Sequence, residues 1–578
     1  MRIAMIAMLC ILPLVTSAGS RKYPVKSDKP WPMPIVVDVK ADPIRDLRES
    51  TCGPCIGYAG SLLEKNFDDN TTEWLFEKNR SATAKVFREA GARFVRKQDF
   101  NPFWQEGIEY AKLKTKEDKA AMLKLHPGAP IADPHVYFSF WKENGIKAML
   151  CLTSHYVFTD PVRSNKTTSD TEAVKKVICD LVKWILDNGY KDTVAGFEMD
   201  NEPFFGEDPE GYGRKWTEII PAILKIWPEA KLGLPVAEYR AKDPDIAAVR
   251  ARSTKVDQWF GKGEYFGFQK VNQWSGRAIV ALSNQLQNVS HLIYHFYGAN
   301  AAFACTPVGF ARIEQFAKVF PEVKDKRIWI TEFRERSDED LRCHETFFSA
   351  LWKGHYLLEV LCQPNIDAAM LHHLGAQGGG ISTAANGRWW IVMQTDGRSE
   401  LPDPDYDGHT RLEVGPTGPV FAIYCDALEG HPIVQSHGTA NDGTAATYWH
   451  ASMYYDYSKK YIQALAAGVP EDKLPYVAGR TVEWIATLSP KRDSLSILMV
   501  NTKDFEVEMP VEIKGRSFNG KPKVRSVGID QRCLHWHLLP GEKPLWTVSE
   551  RTDAKSFGNK MSFLVGPNTV QSVTVPLR

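Results

Sequence analysis

Two glutamates stand where a chain can do acid–base work on a bond in its substrate. Glu202 lies in Asn201-Glu202-Pro203, directly after the apolar run AGFEMD, and Glu332 lies in Thr331-Glu332-Phe333, directly after RIWI. Cleavage of an acetal such as a glycosidic bond needs such a pair. One carboxyl protonates the leaving oxygen while the other attacks or stabilises the oxocarbenium ion. Each residue also has a plain reading: Pro203 can rigidify an exit turn with Glu202 as a solvated loop acid, and Glu332 can be an ordinary strand-end glutamate. Their positions join them, because both follow apolar strands that are three strand positions apart.

The elements that must hold these residues alternate regularly from about residue 55 to 430. Short apolar runs at 56–60, 92–97, 146–152, 194–199, 231–236, 291–297, 327–332 and 367–374 read as strands, and amphipathic helices lie between most of them. In the clearest unit Ser169 and Glu172 are spaced as a capping box. Val174, Val177, Ile178, Leu181, Val182, Ile185 and Leu186 then recur at helical spacing until Asn188-Gly189 stops the helix. Eight strands with intervening helices predict an α/β fold, a closed (β/α)8 TIM barrel, rather than an open doubly wound sheet.

From 431 to 578 the helices give out. TVEWIATLS, SLSILMVNT, FEVEMPVEIKG, FLVGP and VQSVTVPLR read as strands of a C-terminal antiparallel β-sandwich, and 431–462 reads as a loop-rich crossing. The segment 19–54, which contains WPMPIVVDVKAD, can add a strand to that sandwich. Residues 1–18 place one arginine before a short apolar run and then small residues, the pattern of a secretory signal peptide cut after Ala18; an uncleaved anchor is the alternative. The sequence thus predicts a secreted protein, with sequons at Asn70, Asn79, Asn165 and Asn288.

Charge and motifs exclude several function classes. With 71 Lys+Arg against 70 Asp+Glu there is no basic field to meet a phosphate backbone, so nucleic acid is not expected as a partner. No later segment reads as a membrane span. No GxGxxG or GxxxxGK[ST] follows a strand and no GxSxG elbow appears, so nothing calls for a cofactor. His372-His373 and Cys343-His344-Glu345 lack a second ligand pair at zinc spacing, and no metal is expected. Cys52-Gly-Pro-Cys55 has redox-pair spacing, but the residues after it read as a strand rather than the helix a low-pKa thiolate needs. A structural disulfide fits better.

On Asn201-Glu202-Pro203 at strand four and Glu332 at strand seven, the region 55–430 resembles the retaining glycoside hydrolases of clan A. The resemblance implies Glu202 as general acid/base, Glu332 as nucleophile and Asn201 as a hydrogen-bond partner of the sugar 2-hydroxyl. It also implies roles for Arg96 after strand two, His155 after strand three, His295 with Tyr297 at strand six, and Trp389 or Trp390 after strand eight. The trailing sandwich is similar to those of families 30, 39, 51, 79 and 86.

Those supporting residues keep alternatives on their own chemistry. Arg96 can hold Glu332 ionised or form a buried salt bridge with Glu198 or Asp99. His295 can be a hydrogen-bonded barrel histidine, and Tyr297 a core aromatic. Glu198 is read as structural. Phe204, Phe205, Trp104, Trp274, Trp389 and Trp390 are candidate walls for sugar rings, and long loops after strands two, five and eight suggest an extended cleft. Overall likeness leans to an endo-acting, family 86 agarase/porphyranase-like hydrolase of a β-linked galactan, with a polysaccharide or oligosaccharide as substrate. An exo-acting β-xylosidase or β-glucuronidase is the alternative within the class, and a non-catalytic carbohydrate-binding barrel the alternative outside it. Binding alone requires neither carboxylate.

Overall fold

The computed structural model describes residues 34–49, 56–59, 80–97, 104–125, 133–154, 170–205, 207–236, 268–299, 316–317, 320–336, 347–372, 392–395, 411–440, 482–502, 506–530 and 543–578. Eight strands close into a parallel barrel: β1 Ile56–Ala59, β2 Phe94–Lys97, β3 Lys147–Leu152, β4 Val194–Met199, β5 Leu232–Pro235, β6 His291–Ala299, β7 Arg327–Arg336 and β8 Ile366–His372, with β8 pairing back onto β1. The described residues of β2 to β8 are buried almost throughout, as strands covered on both faces must be.

Among the helices between strands are α1 Thr171–Asp187, α2 Pro209–Ile226, α3 Phe268–Leu282 and α4 Phe347–Cys362; α5 Thr417–Gly430 follows the barrel. The cap of α1 is Asp170 rather than Ser169: its carboxylate accepts the Ala173 N–H, which places Thr171 as the first helical residue. Helix α2 starts well before the apolar run that reveals it in sequence. Asp208 caps it and Pro209 occupies its first turn. The stretch after β2, read as a long loop, contains three helices, Trp104–Lys112, Lys116–Leu125 and Pro134–Glu143.

The lumen is filled from the strands. Phe94, Met149, Ala195, Ile293, Trp329, Ala368 and Met370 form a packed cluster of their own. Trp329 takes the largest share because two strands make room for it. A Cβ on Gly196 would come within 2.5 Å of its ring, and one on Gly233 within 2.8 Å.

Two further sheets pack face to face around Ile35, Val37, Ile497, Val511, Phe563 and Val575, among others. The larger, seven-stranded sheet runs Thr547–Arg551, Lys523–Gly528, Thr569–Pro576, Ser494–Asn501, Val482–Leu488, Ile433–Ala440 and Arg45–Asp46. The smaller runs Ile35–Asp38, Val507–Lys514, Lys560–Val565 and Lys555–Phe557. The N-terminal strand Ile35–Asp38 pairs in parallel with Val507–Lys514. Ile433–Ala440, read as crossing loop, is a strand of the larger sheet, its pattern masked by Ser436, His437 and Gly438. The other face of that sheet shares a core with the barrel helices, through Leu498, Val500 and Val570 beside Tyr356 and Val420. His355 on α4 meets the Glu483 carboxylate through its Nδ1 across this junction, both buried. Among the described residues no helix is long and apolar enough to cross a membrane.

Candidate active site

Both glutamates come to the mouth of the barrel at the C-terminal ends of their strands, where catalytic groups of such barrels sit. One side-chain ligand atom each from Glu202, His295 and Glu332 lies within 4.8 Å of the others. Glu332 is buried, whereas the Glu202 side chain is 27% exposed, so Glu202 is the carboxyl open to an incoming molecule.

Glu332 points into this group because of an irregularity in β7. Along β6 and β7 the register runs Ile293 to Trp329 and Tyr294 to Ile330, then jumps to His295 opposite Glu332. One extra residue, Thr331, enters β7 at that point, a β-bulge that re-aims the side chain after it. Thr331 and Glu332 therefore both reach the site, while Phe333 packs outward on Tyr356 with ring centroids 4.5 Å apart.

Glu202 is carried on a strained turn. Asp200 and Glu202 have φ of 75° and 47°, the left-handed region that L-residues enter at a cost. The turn is pinned from two neighbouring elements. The Asp200 N–H donates to Leu152 O at 2.8 Å on β3, and Tyr212 of α2 donates its hydroxyl to Met199 O at 2.7 Å.

Arg96, fully buried, ties the group together. It donates to Glu332 Oε1 at 2.7 Å, to Asn201 Oδ1 at 2.7 Å and, through Nε, to Glu198. The two readings left open in the sequence, a partner for Glu332 or a salt bridge to Glu198, thus hold together in one side chain. Burial pulls the guanidinium pKa down, but the Glu198 and Glu332 charges more than restore it, and it lies well above its ordinary value. For Glu198 burial acts upward and is outweighed by Arg96 and His295, which hold it below the ordinary carboxylate range.

His295 links the remaining groups. Its Nδ1 lies 2.8 Å from Glu202 Oε1 and 3.4 Å from Glu332 Oε2; its Nε2 lies 3.1 Å from Thr331 Oγ1, which in turn donates to Glu198 at 3.2 Å. Burial favours the neutral ring, yet the Glu332 and Glu202 charges, with hydrogen bonds to Glu198 and Glu202, hold its pKa at about 10. At neutral pH both ring nitrogens are therefore donors. A cation seated among Glu202, His295 and Glu332 would first have to displace that proton.

Arg96, Asn201, Glu202, His295 and Glu332 thus meet in one cluster. Tyr297 lies on β6 in register with Arg334, and its side chain, with His155, Trp389 and Trp390, lies outside the described residues, as do Cys52 and Cys55. Two candidate sugar-binding aromatics do not face the site. Trp104 is buried on a helix against Trp184, 5.8 Å between centroids. Trp274 is buried on α3, where its Nε1 donates to Glu207 O at 2.8 Å and its ring packs on Tyr212. Two contributors escaped the sequence reading: Thr331 as the bulge residue and Asp200 behind the turn. Glu198, read as structural, is the anchor of Arg96.

Solved structures share this architecture. The chain is similar to the α-L-arabinofuranosidase from Thermotoga maritima, in an arabinose complex, with TM-score 0.59, 12% identity and coverage of 94% of this chain and 99% of that one. It is also similar to the thermostable GH51 α-L-arabinofuranosidase from Thermotoga petrophila RKU-1 (TM-score 0.56, 12% identity, 94% and 99% covered). A third is AbfB, a family 51 α-L-arabinofuranosidase from Bifidobacterium longum (0.54, 11%, 94% and 100%). At such identities the likeness is one of fold, and it extends through barrel and sheets alike. No family model and no curated protein matches the chain.

Proposed function

We propose that this protein is a retaining glycoside hydrolase that works by double displacement. One observation carries the reading: Glu202 and Glu332, from different strands, bring carboxylate oxygens within 4.8 Å of one another at the barrel mouth. Retaining enzymes hold their two carboxyls about 5–5.5 Å apart, too close to seat the water of an inverting mechanism.

Glu332, ionised against Arg96, attacks the anomeric carbon, and Glu202 in its protonated form delivers a proton to the departing oxygen. A glycosyl-enzyme ester on Glu332 results. Glu202, now a carboxylate, then takes a proton from water as that water attacks the anomeric carbon and displaces the Glu332 carboxylate, releasing the sugar with retained configuration. Asn201, its Oδ1 held by Arg96, offers its amide donors to the sugar 2-hydroxyl. The imidazolium of His295 keeps a donor on Glu202 and positive charge beside both carboxyls through the cycle.

The substrate is a polysaccharide or oligosaccharide outside the cell. Sequence likeness favours endo-action on a β-linked galactan, with β-xylosides and β-glucuronides as exo-type alternatives. The names of the structural neighbours add α-L-arabinofuranosides, so the first assay is a panel of all four classes with product sizing. On the substrate turned over, Glu332→Ala is expected to reduce the rate to background. Glu202→Ala should lose about 10²–10⁴-fold with poor leaving groups yet still glycosylate with a dinitrophenolate leaving group. Robust hydrolysis by both variants would overturn the assignment.

A further inference from the structure

Asp200 stands at a backbone position made for glycine. Its φ of 75° imposes a cost on any L-residue, and its side chain is wholly buried, so a carboxylate there adds a desolvation cost as well. Glycine would avoid both. Aspartate often tolerates this region by bonding to its own neighbouring backbone, but here the carboxylate reaches elsewhere. It accepts from the Ser154 N–H and from Ser154 Oγ, the latter at 2.6 Å, just beyond the end of β3. It also accepts from Trp216 Nε1 at 2.9 Å on α2. The ammonium of Lys215, beside Trp216, lies 3.4 Å from Ser154 O and so draws the same two elements together.

Asn201, which Arg96 holds, and Glu202, which contacts His295, are the next two residues. Glu202 itself has φ of 47°, so the direction of its side chain depends on a short stretch of backbone that local preference does not favour. We propose that Asp200 is a positioning residue. By bonding to Ser154 and Trp216 it fixes the left-handed turn that aims Glu202 at the leaving-group oxygen. This rests on the assignment of Glu202 as proton donor and adds to it the device that keeps the donor aligned.

Alignment and mere stability separate by leaving group. Phenyl and 2,4-dinitrophenyl glycosides of the sugar identified by the panel are compared, because only the phenyl compound needs the proton. In Asp200→Gly, which relieves the backbone cost but removes all three bonds, kcat/KM for the phenyl glycoside is expected to fall about 10²-fold. The dinitrophenyl glycoside should change no more than about threefold, since it needs no proton from Glu202. Ser154→Ala and Trp216→Phe, each leaving part of the clamp, should show the same split on a smaller scale, and they serve if Asp200→Gly does not fold. Equal loss on both substrates, or no loss in any of the three, overturns the proposal while Glu202→Ala still shows the split. Absence of the split in Glu202→Ala itself overturns the underlying assignment instead.

Discussion

His291 and His295 lie four residues apart on β6, one at the floor of the barrel and one at its mouth, and they titrate in opposite directions. His295 is held at about 10, whereas His291 is pushed below its ordinary value. Burial favours the neutral ring at both positions; what differs is the balance of charge around each. At the mouth three carboxylates, Glu198, Glu202 and Glu332, approach His295. At the floor one carboxylate, Asp367, lies 2.9 Å from His291 Nε2 and is shared with Arg327 and, at 3.9 Å, with Arg45. There Asp367 is claimed by cations, and His291 stacks on Trp329 as a neutral ring, 3.8 Å between centroids. Burial acts upward on Asp367, but His291 and Arg327 bring it down to about 2. One strand therefore serves an anion-rich end suited to proton traffic and a cation-rich end suited to holding the barrel closed.

The contrast can be broken most severely at Arg96. Arg96→Met leaves Glu198 and Glu332 facing each other in a buried site. Activity is expected to fall by about 10³-fold, and stability to urea by about 3–5 kcal/mol. Activity within tenfold of the parent would show that the mouth does not depend on its guanidinium.

At the floor the expected effect is smaller and falls on stability alone. Asp367 has a folded pKa below its unfolded value, so its contribution is complete above the unfolded value and disappears as pH falls through about 2. Asp367→Asn should cost about 2 kcal/mol at neutral pH. It should also flatten the acid limb of the stability profile and leave kcat unchanged; a lowered kcat would mean that floor and mouth are coupled.

The finest test is spectroscopic. In protein labelled with ¹⁵N-histidine, His295 should remain an imidazolium at neutral pH and lose its proton near pH 10, while His291 remains neutral from neutral pH upward. The sign follows from linkage. A pKa raised in the folded state contributes stability that is fully present below the unfolded value and is lost as pH rises through about 10. Titration of both rings near their ordinary value would remove the contrast.

Much of this was legible in the chain. The barrel followed from eight apolar runs separated by helical periodicity, and the pair Glu202 and Glu332 from their places after the fourth and seventh. Spacing and hydrophobicity are properties of the chain itself, and they survive any detail of packing. The strand Ile433–Ala440 was hidden because Ser436, His437 and Gly438 resemble loop composition, and its neighbours supply the order that propensity does not. The helices after β2 were legible in part, since Lys116–Leu125 consists of strong helix formers.

The sequence by itself determined which residues reach the barrel mouth. Their aim was decided only in three dimensions. Strict alternation from the lumen-facing Trp329 sends Thr331 inward and Glu332 outward, and only the register jump against β6 brings both to the site. The turn at Asp200 and Glu202 likewise adopts φ values that local preference opposes, held by Ser154 beyond the end of β3 and by Trp216 on the helix that follows. The bulge is set by a partner strand and the turn by side chains of two neighbouring elements, so the pattern of residues around each does not contain its cause.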